Sequence, residues 1–245
     1  NYPVNLTFGP LVSAIAAGNT VILKPSEMTP NTSAVMAKIV KDVFNENEVA
    51  LIEGEVEVSQ ELLKLPFNHI FFTGSPGVGK IVMQAAAQHL TSVTLELGGK
   101  SPTIIHESTN IKAAIENLVW GKFLNNGQTC IAPDYVLVHD SIKNEFIEAF
   151  KAKALEYYSE NPMTSGSYSR VVNNKHFKRL VSYIENAKTN NAIIELGGDY
   201  EEASNYIAPT MISNLDEDAL LLNEEIFGPI LPIKTYKSAD EVVNY

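Results

Sequence analysis

The sequence predicts an α/β protein made of two successive α/β domains, over residues 1–98 and 99–245. Three observations carry that expectation. In the first domain, short runs rich in β-branched and aromatic residues alternate with helical patterns, which indicates a parallel sheet of βαβ units. Two adjacent glycines, Gly98 and Gly99, then interrupt the pattern. After them the alternation restarts.

The elements follow in order. PLVSAIAA reads as a helix stopped at Gly18, and NTVILKP as a short strand. Thr29-Pro30 opens a helix running to about Phe44, with Thr29 as N-cap and Pro30 at the first helical position. VALIE is a strand, SQELLKL a helix and HIFFT a strand. A helix follows Gly79, and VTLEL is the next strand. Beyond ELGGKSP, PTIIH and YVLVH read as strands on either side of the amphipathic helix NIKAAIENLVWGKFL. Two helices come next, SIKNEFIEAFKAKALEYY and NNKHFKRLVSYIENAK. IIELGG, YIAPTMI and ILPIKTY are strands, and SADEVVNY is a short helix. SENPMTSGSYSR is a polar loop without periodicity.

Composition narrows the function. Of the 245 residues, 45% are hydrophobic and 19% charged, a globular balance. The net charge of −11 disfavours nucleic acid and anionic membrane surfaces as partners. The longest apolar stretch, LVSAIAAGNTVIL, is broken by Gly18, Asn19 and Thr20 and is too short to span a bilayer. No segment reads as a signal peptide, and cytoplasm is the default location. The single cysteine, Cys130, excludes an intrachain disulfide. The five histidines show no H-x-x-x-H or H-x-H spacing, so no metal site is expected. Asn1 and Tyr245 do not read as natural termini, and an internal piece of a longer protein is expected.

One stretch raises a choice. FTGSPGVGKIV contains G-x-x-x-x-G-K, from Gly74 to Lys80. A P-loop needs a Ser or Thr after the Lys to ligate Mg²⁺, and here Ile81 stands there. A strand, a glycine turn and a helix N-terminus still make an anion site. A dinucleotide pyrophosphate, which needs no metal, is the leading ligand, and a plain βα turn is the alternative.

Six motifs then occur in order: NYP at the start, KPSE at 24–27, FTGSPGVG at 72–79, ELGGKSP at 96–102, NNGQTC at 125–130 and EEIFGP at 224–229. Together they resemble the aldehyde dehydrogenase superfamily, of the class 3 type, over essentially the whole chain. The resemblance implies a Rossmann-like partial NAD(P)-binding domain at 1–98 and a partial catalytic domain at 99–245, both incomplete. It places a strand before NYP and an oligomerisation strand beyond Tyr245. The 245 residues alone are therefore expected to expose apolar faces and to be unstable.

The resemblance also implies roles. Cys130 is the nucleophile, on a polar turn rather than an apolar face; an ordinary thiol is only a few per cent thiolate at neutral pH, so some activation is expected. Glu96, 34 positions before Cys130 at the end of an apolar strand, is the base that activates water. Asn1 supplies an oxyanion donor beside the backbone N–H of Cys130. Lys24 and Glu27 bind the adenosine ribose, and a carboxylate there repels a 2′-phosphate, favouring NAD while NADP stays possible. Gly74, Ser75, Pro76, Gly77, Val78 and Gly79 form the pyrophosphate turn. Glu225 and Phe227 hold the nicotinamide ribose and ring, and Leu97 and Gly98 contact the carboxamide. Each residue also has a plainer reading: Cys130 as a packing thiol, Glu96 as a strand-end ion-pair partner, Asn1 as a turn residue. For the cofactor residues it is Lys24–Glu27 as a surface ion pair, and Glu225 and Phe227 as an acidic turn before a core aromatic. Pro76 and Pro133 are points where local geometry could depart from the family pattern.

The expected activity is NAD(P)-dependent oxidation of a small-molecule aldehyde, in a parent protein that is a homodimer or larger. The rivals are a cofactor-independent thiol esterase or acyl transferase on the same cysteine, and a scaffold without chemistry. A P-loop NTPase is disfavoured by Ile81 and by the lack of a second magnesium-binding aspartate.

Overall fold

The computed structural model describes residues 1–245. The chain divides into two compact units, Asn1–Gly98 and Gly99–Tyr245. No helix is long and apolar enough to cross a membrane.

The first unit runs α1 (Pro3–Ala16), β1 (Val21–Leu23), α2 (Pro30–Val43), β2 (Val49–Leu51), α3 (Val56–Leu62), β3 (His69–Thr73), α4 (Pro76–Ala87) and β4 (Ser92–Glu96). Every strand pairing is parallel, as the βαβ alternation requires: β1 with β2, and β3 with β4. The four strands nevertheless form two separate two-stranded ladders, not the single sheet expected. Alternation dictates direction and crossover, but not which strands become neighbours.

Two boundaries also differ. The first helix begins at Pro3, not Pro10, which lies inside it; a proline with φ near −65° suits the first helical turn. The helix after the glycine turn begins at Pro76, before Gly79. Pro76 thus fits its place without distortion. Thr29 is the N-cap of α2 by position, yet its side chain makes no capping bond. The core of this unit is small, with Leu11, Leu23, Val40 and Val49 buried and Phe8, Val21, Phe44 and Leu51 packed on them. Val12, Val35, Val43, Ile81 and Met83 remain exposed.

The second unit contains β5 (Pro102–Ile105), α5 (Ile111–Phe123), β6 (Tyr135–His139), α6 (Lys143–Tyr158), α7 (Asn174–Thr189) and β7 (Ile193–Leu196). It continues with β8 (Tyr200–Glu201), β9 (Tyr206–Ile207), β10 (Thr210–Ser213), α8 (Leu220–Asn223), β11 (Ile230–Tyr236) and α9 (Ala239–Val243). Five strands form one sheet in the order β5-β6-β11-β10-β7. The first four are parallel and β7 is antiparallel to β10.

The expected strand YIAPTMI is two. β9 pairs antiparallel with β8, and β10 joins the main sheet after Ala208-Pro209. Pro209 has no N–H for a ladder, so the chain changes partners there. Helix α5 is capped by Asn110, whose Oδ1 accepts from Ala113 N–H at 3.2 Å. Its inner face carries Ile115, Leu118, Val119, Lys122 and Phe123, all buried, at helical spacing. Each fully buried Leu or Phe of this kind contributes about 1.5–3 kcal/mol. This face packs under the sheet and delivers the chain directly into the loop that holds Cys130.

Candidate active site

Cys130 sits in the loop between α5 and β6, half-buried and free. Three consecutive left-handed residues shape that loop: Asn125 at φ 51°, Asn126 at 59° and Gly127 at 71°. Asparagine and glycine are the types that tolerate this region at least cost. At Gly127 the need is absolute. An added Cβ would lie 2.3 Å from the carbonyl oxygen of Gly228. The thiol loop therefore lies against the backbone of the loop Glu224–Pro229.

Gln128, only 6% exposed, ties the thiol loop down. Its Nε2 donates to Asn125 O at 3.1 Å and to Arg170 O at 3.0 Å, and its Oε1 accepts from Val172 N–H at 2.9 Å. Asn125 Nδ2 returns a bond to Gln128 O at 3.0 Å. Ala132 N–H donates to Thr129 O at 3.0 Å, closing a turn around Cys130. Behind the loop, the buried Lys122 donates to Pro133 O at 2.9 Å. Burial pulls its pKa down to about 8, with Asp134 opposing that shift. Pro133 is thus part of the support and not a disturbance.

The Glu225–Phe227 loop is held as fully. Arg179 donates to Glu225 O at 3.3 Å and to Ile226 O at 2.9 Å. Tyr183 donates to Glu224 Oε2 at 2.5 Å. Glu225 is half-buried, and its Oε1 accepts from Gly99 N–H at 3.1 Å. Burial raises its pKa, against the effect of that bond. Phe227 is half-buried with φ 48°, a costly conformation for an aromatic residue.

In the first unit, Glu96 is the last residue of β4 and lies opposite Thr73 of β3. Its carbonyl accepts from Gly74 N–H at 3.0 Å, so the candidate base and the glycine turn are adjacent. The Glu96 side chain is exposed, not enclosed by an apolar strand end as expected. Ser75 caps α4, with Oγ accepting from Val78 N–H at 3.4 Å. Gly79 N–H donates to Ser75 O at 2.9 Å. Pro76 has no N–H, which leaves that of Gly77 as the open donor of the first turn. A Cβ on Gly79 would meet Leu97 Cδ2 at 2.8 Å, so Leu97 packs on the start of this helix.

Lys24 and Glu27 are bonded to each other at 3.0 Å, both part-buried. A bond from its own backbone amide, and then Lys24, hold the Glu27 carboxyl below the usual range. Asn1 is exposed ahead of Tyr2, whose φ is 41°. No group of three or more His, Cys, Asp or Glu side chains could hold a metal ion.

The structure thus brings Gly74, Ser75, Gly79, Glu96 and Leu97 together in one unit, and Cys130, Glu225 and Phe227 in the other. Sequence reasoning missed Lys100, Asp134, Arg179, Lys122 and Gln128. Lys122 carried a signal: a lone cation on an otherwise apolar helix face, in step with Ile115, Leu118 and Val119. Lys100 and Gln128 lie inside the motifs ELGGKSP and NNGQTC, but their distant partners gave no local signal, and Asp134 and Arg179 had none.

The second unit thus places the lone thiol on a glycine turn packed against an acidic-aromatic loop. The chain belongs to the aldehyde dehydrogenase family, whose profile matches residues 1–245. It is 50% identical over its full length to the 4,4'-diaponeurosporen-aldehyde dehydrogenase of Staphylococcus aureus, covering 53% of that protein. It is 48% identical over its full length to aldehyde dehydrogenase family 3 member A2 of Pongo abelii, covering 50% of it. Among solved structures, the substrate-bound state of Staphylococcus aureus AldH aligns at TM-score 0.93 and 49% identity, over 99% of this chain and 52% of that one. The NAD+ complex of the aldehyde dehydrogenase from Bacillus cereus aligns at TM-score 0.89 and 30% identity, over 99% of this chain and 50% of that one. The chain spans about half the length of the curated relatives it matches.

Proposed function

We propose that the full-length protein oxidises an aldehyde to a carboxylic acid with NAD or NADP, using Cys130 as nucleophile. The observation that carries this reading is the direct packing of the Cys130 loop on the loop of Glu225 and Phe227, through Gly127 and Gly228. A nucleophile and a dinucleotide-binding carboxylate must share one site for this chemistry.

The residues fit a dinucleotide. The capped N-terminus of α4 offers the Gly77 N–H to an anion, and glycines at 77 and 79 let a pyrophosphate approach the backbone. Lys24 and Glu27 bind the adenosine ribose, and the Glu27 carboxylate favours NAD over NADP. Glu225 takes the nicotinamide ribose, Phe227 lies by the ring, and Leu97 and Gly98 reach the carboxamide. Bound NAD(P) supplies the hydride acceptor at its nicotinamide ring. The solved NAD+ complex of a 30% identical relative supports that cofactor class.

The chain's own residues do the rest. Cys130 as thiolate adds to the aldehyde carbon, giving a tetrahedral thiohemiacetal. The backbone N–H of Cys130 and the Asn1 side chain stabilise its oxyanion; one such donor is worth about 2.7–4 kcal/mol. Loss of hydride leaves a thioester on Cys130. Glu96 takes a proton from water, the hydroxide attacks, and the carboxylate leaves as the thiolate is restored. We extend the family expectation to assembly: a homodimer or larger, in the cytoplasm, which light scattering and fractionation of the full-length protein test.

The deciding experiment is NADH formation by the full-length protein over a panel of aliphatic and aromatic aldehydes, beside Cys130→Ala. Formation in the parent alone, with cofactor binding kept in the variant, supports thiol-dependent oxidation. Ester hydrolysis without cofactor, and no reduced cofactor with any aldehyde, supports acyl transfer instead.

A further inference from the structure

Asp134 is a carboxylate only 4% exposed, and what it holds comes from separate segments of the second unit. Its backbone N–H donates to Ser101 O at 2.9 Å. Its Oδ2 takes a bond from Lys100 Nζ. Its Oδ1 accepts from Ile226 N–H at 2.9 Å. Lys100 Nζ donates onward to Leu221 O at 3.1 Å and to Glu224 O at 2.8 Å. An ammonium has three protons, and all three are used.

The consequence falls on Glu225. The carbonyl before it is held by Lys100 and the amide after it by Asp134. Its own carboxylate accepts from Gly99, the residue next to Lys100. Burying an ion pair costs desolvation, and an apolar pair of similar size often serves stability as well. An apolar pair could not fix a backbone carbonyl and a backbone amide on either side of one side chain. The pair is therefore suited to orientation more than to stability.

We propose that Lys100 and Asp134 are positioning residues that set the orientation in which Glu225 binds the cofactor ribose. This rests on the assignment of Glu225 to that ribose. Neither side chain is required to touch cofactor or substrate.

The test is a double-mutant cycle in the full-length protein. Asp134→Asn keeps an acceptor for Ile226 and removes the charge opposite Lys100. It should raise KM for NAD(P) by about tenfold while KM for the aldehyde moves less than about twofold. Glu225→Gln should weaken NAD(P)H binding, read by nicotinamide fluorescence, in the parent. In the Asp134→Asn background its further effect should fall below about twofold. A full Glu225→Gln effect in both backgrounds overturns the positioning proposal alone. An equal rise in both KM values also overturns it, as a general loosening. A Glu225→Gln variant that binds cofactor normally overturns the assignment of Glu225, and the proposal with it. If Asp134→Asn does not fold, Lys100→Gln goes through the same cycle with the same criteria.

Discussion

Gly127 lies so close to Gly228 that a single added carbon would overlap its carbonyl oxygen at 2.3 Å. The contact joins the thiol loop to the loop of Glu225 and Phe227 by backbone alone. Gly127→Ala must also hold a side chain at φ 71°. It should destabilise by about 1–3 kcal/mol and depress turnover more than that loss explains. Denaturant midpoints and NADH formation by the full-length variant check this. Wild-type turnover in the variant would mean that the two loops part without cost to the chemistry.

Glu96 stands at the open end of β4, exposed, with its main chain tied to Gly74. An exposed carboxylate is one that water can reach. Glu96→Gln should therefore slow thioester hydrolysis more than hydride transfer. Rapid-mixing traces should keep a full burst of reduced cofactor followed by a slower steady rate. A burst that shrinks in step with the steady rate would remove Glu96 from the water step.

Glu27 is half of a part-buried ion pair with Lys24, and its carboxyl is held below the usual range. It remains charged across the neutral range, so at the proposed ribose site it would repel a 2′-phosphate. Glu27→Gln should weaken NAD more than NADP and narrow the preference between them. Dissociation constants for both reduced cofactors, by fluorescence, decide it; equal weakening would leave the preference without this cause.

Much of the fold was legible because local signals agreed with the outcome. HIFFT, YVLVH and ILPIKTY are apolar runs of strand length, and β3, β6 and β11 occupy those same residues. NIKAAIENLVWGKFL read as an amphipathic helix, and α5 occupies it from Ile111, with Asn110 as its cap. The break at Pro209 was less visible, since YIAPTMI is a largely apolar run of strand length and the change of partner depends on β8 and β11. The candidate site residues came from ordered motifs, each short enough to survive without knowledge of the fold. The pairings that support them did not. Asp134 reaches Ile226 across 92 positions and Lys100 reaches Glu224 across 124. No local pattern encodes such a pair, because only sheet order brings β6 beside β11.

Lys122 is fully buried on the helix that feeds the thiol loop, with its ammonium on Pro133 O. The charged groups facing it are Asp134, which favours its charge, and Lys100, which opposes it; burial, with Lys100 acting the same way, outweighs Asp134. Its pKa falls from 10.5 to about 8 on folding. Below pH 8 the folded protein therefore carries a cost of about 3 kcal/mol for keeping this proton. Between those two values the unfolded chain binds more protons than the folded one, so stability rises with pH. Lys122→Met removes the charge and loses one hydrogen bond, worth about 1 kcal/mol. The variant should be more stable than the parent near neutrality by about 2 kcal/mol. That advantage should shrink as pH climbs from 8 toward 10.5, because the parent sheds its cost. Lys100, Asp134 and the other titrating groups are common to both proteins, so the difference between them isolates Lys122. Denaturant midpoints of the two full-length proteins at neutral and alkaline pH measure it. An advantage that stays constant or grows with pH would show that Lys122 is not held as a costly buried cation.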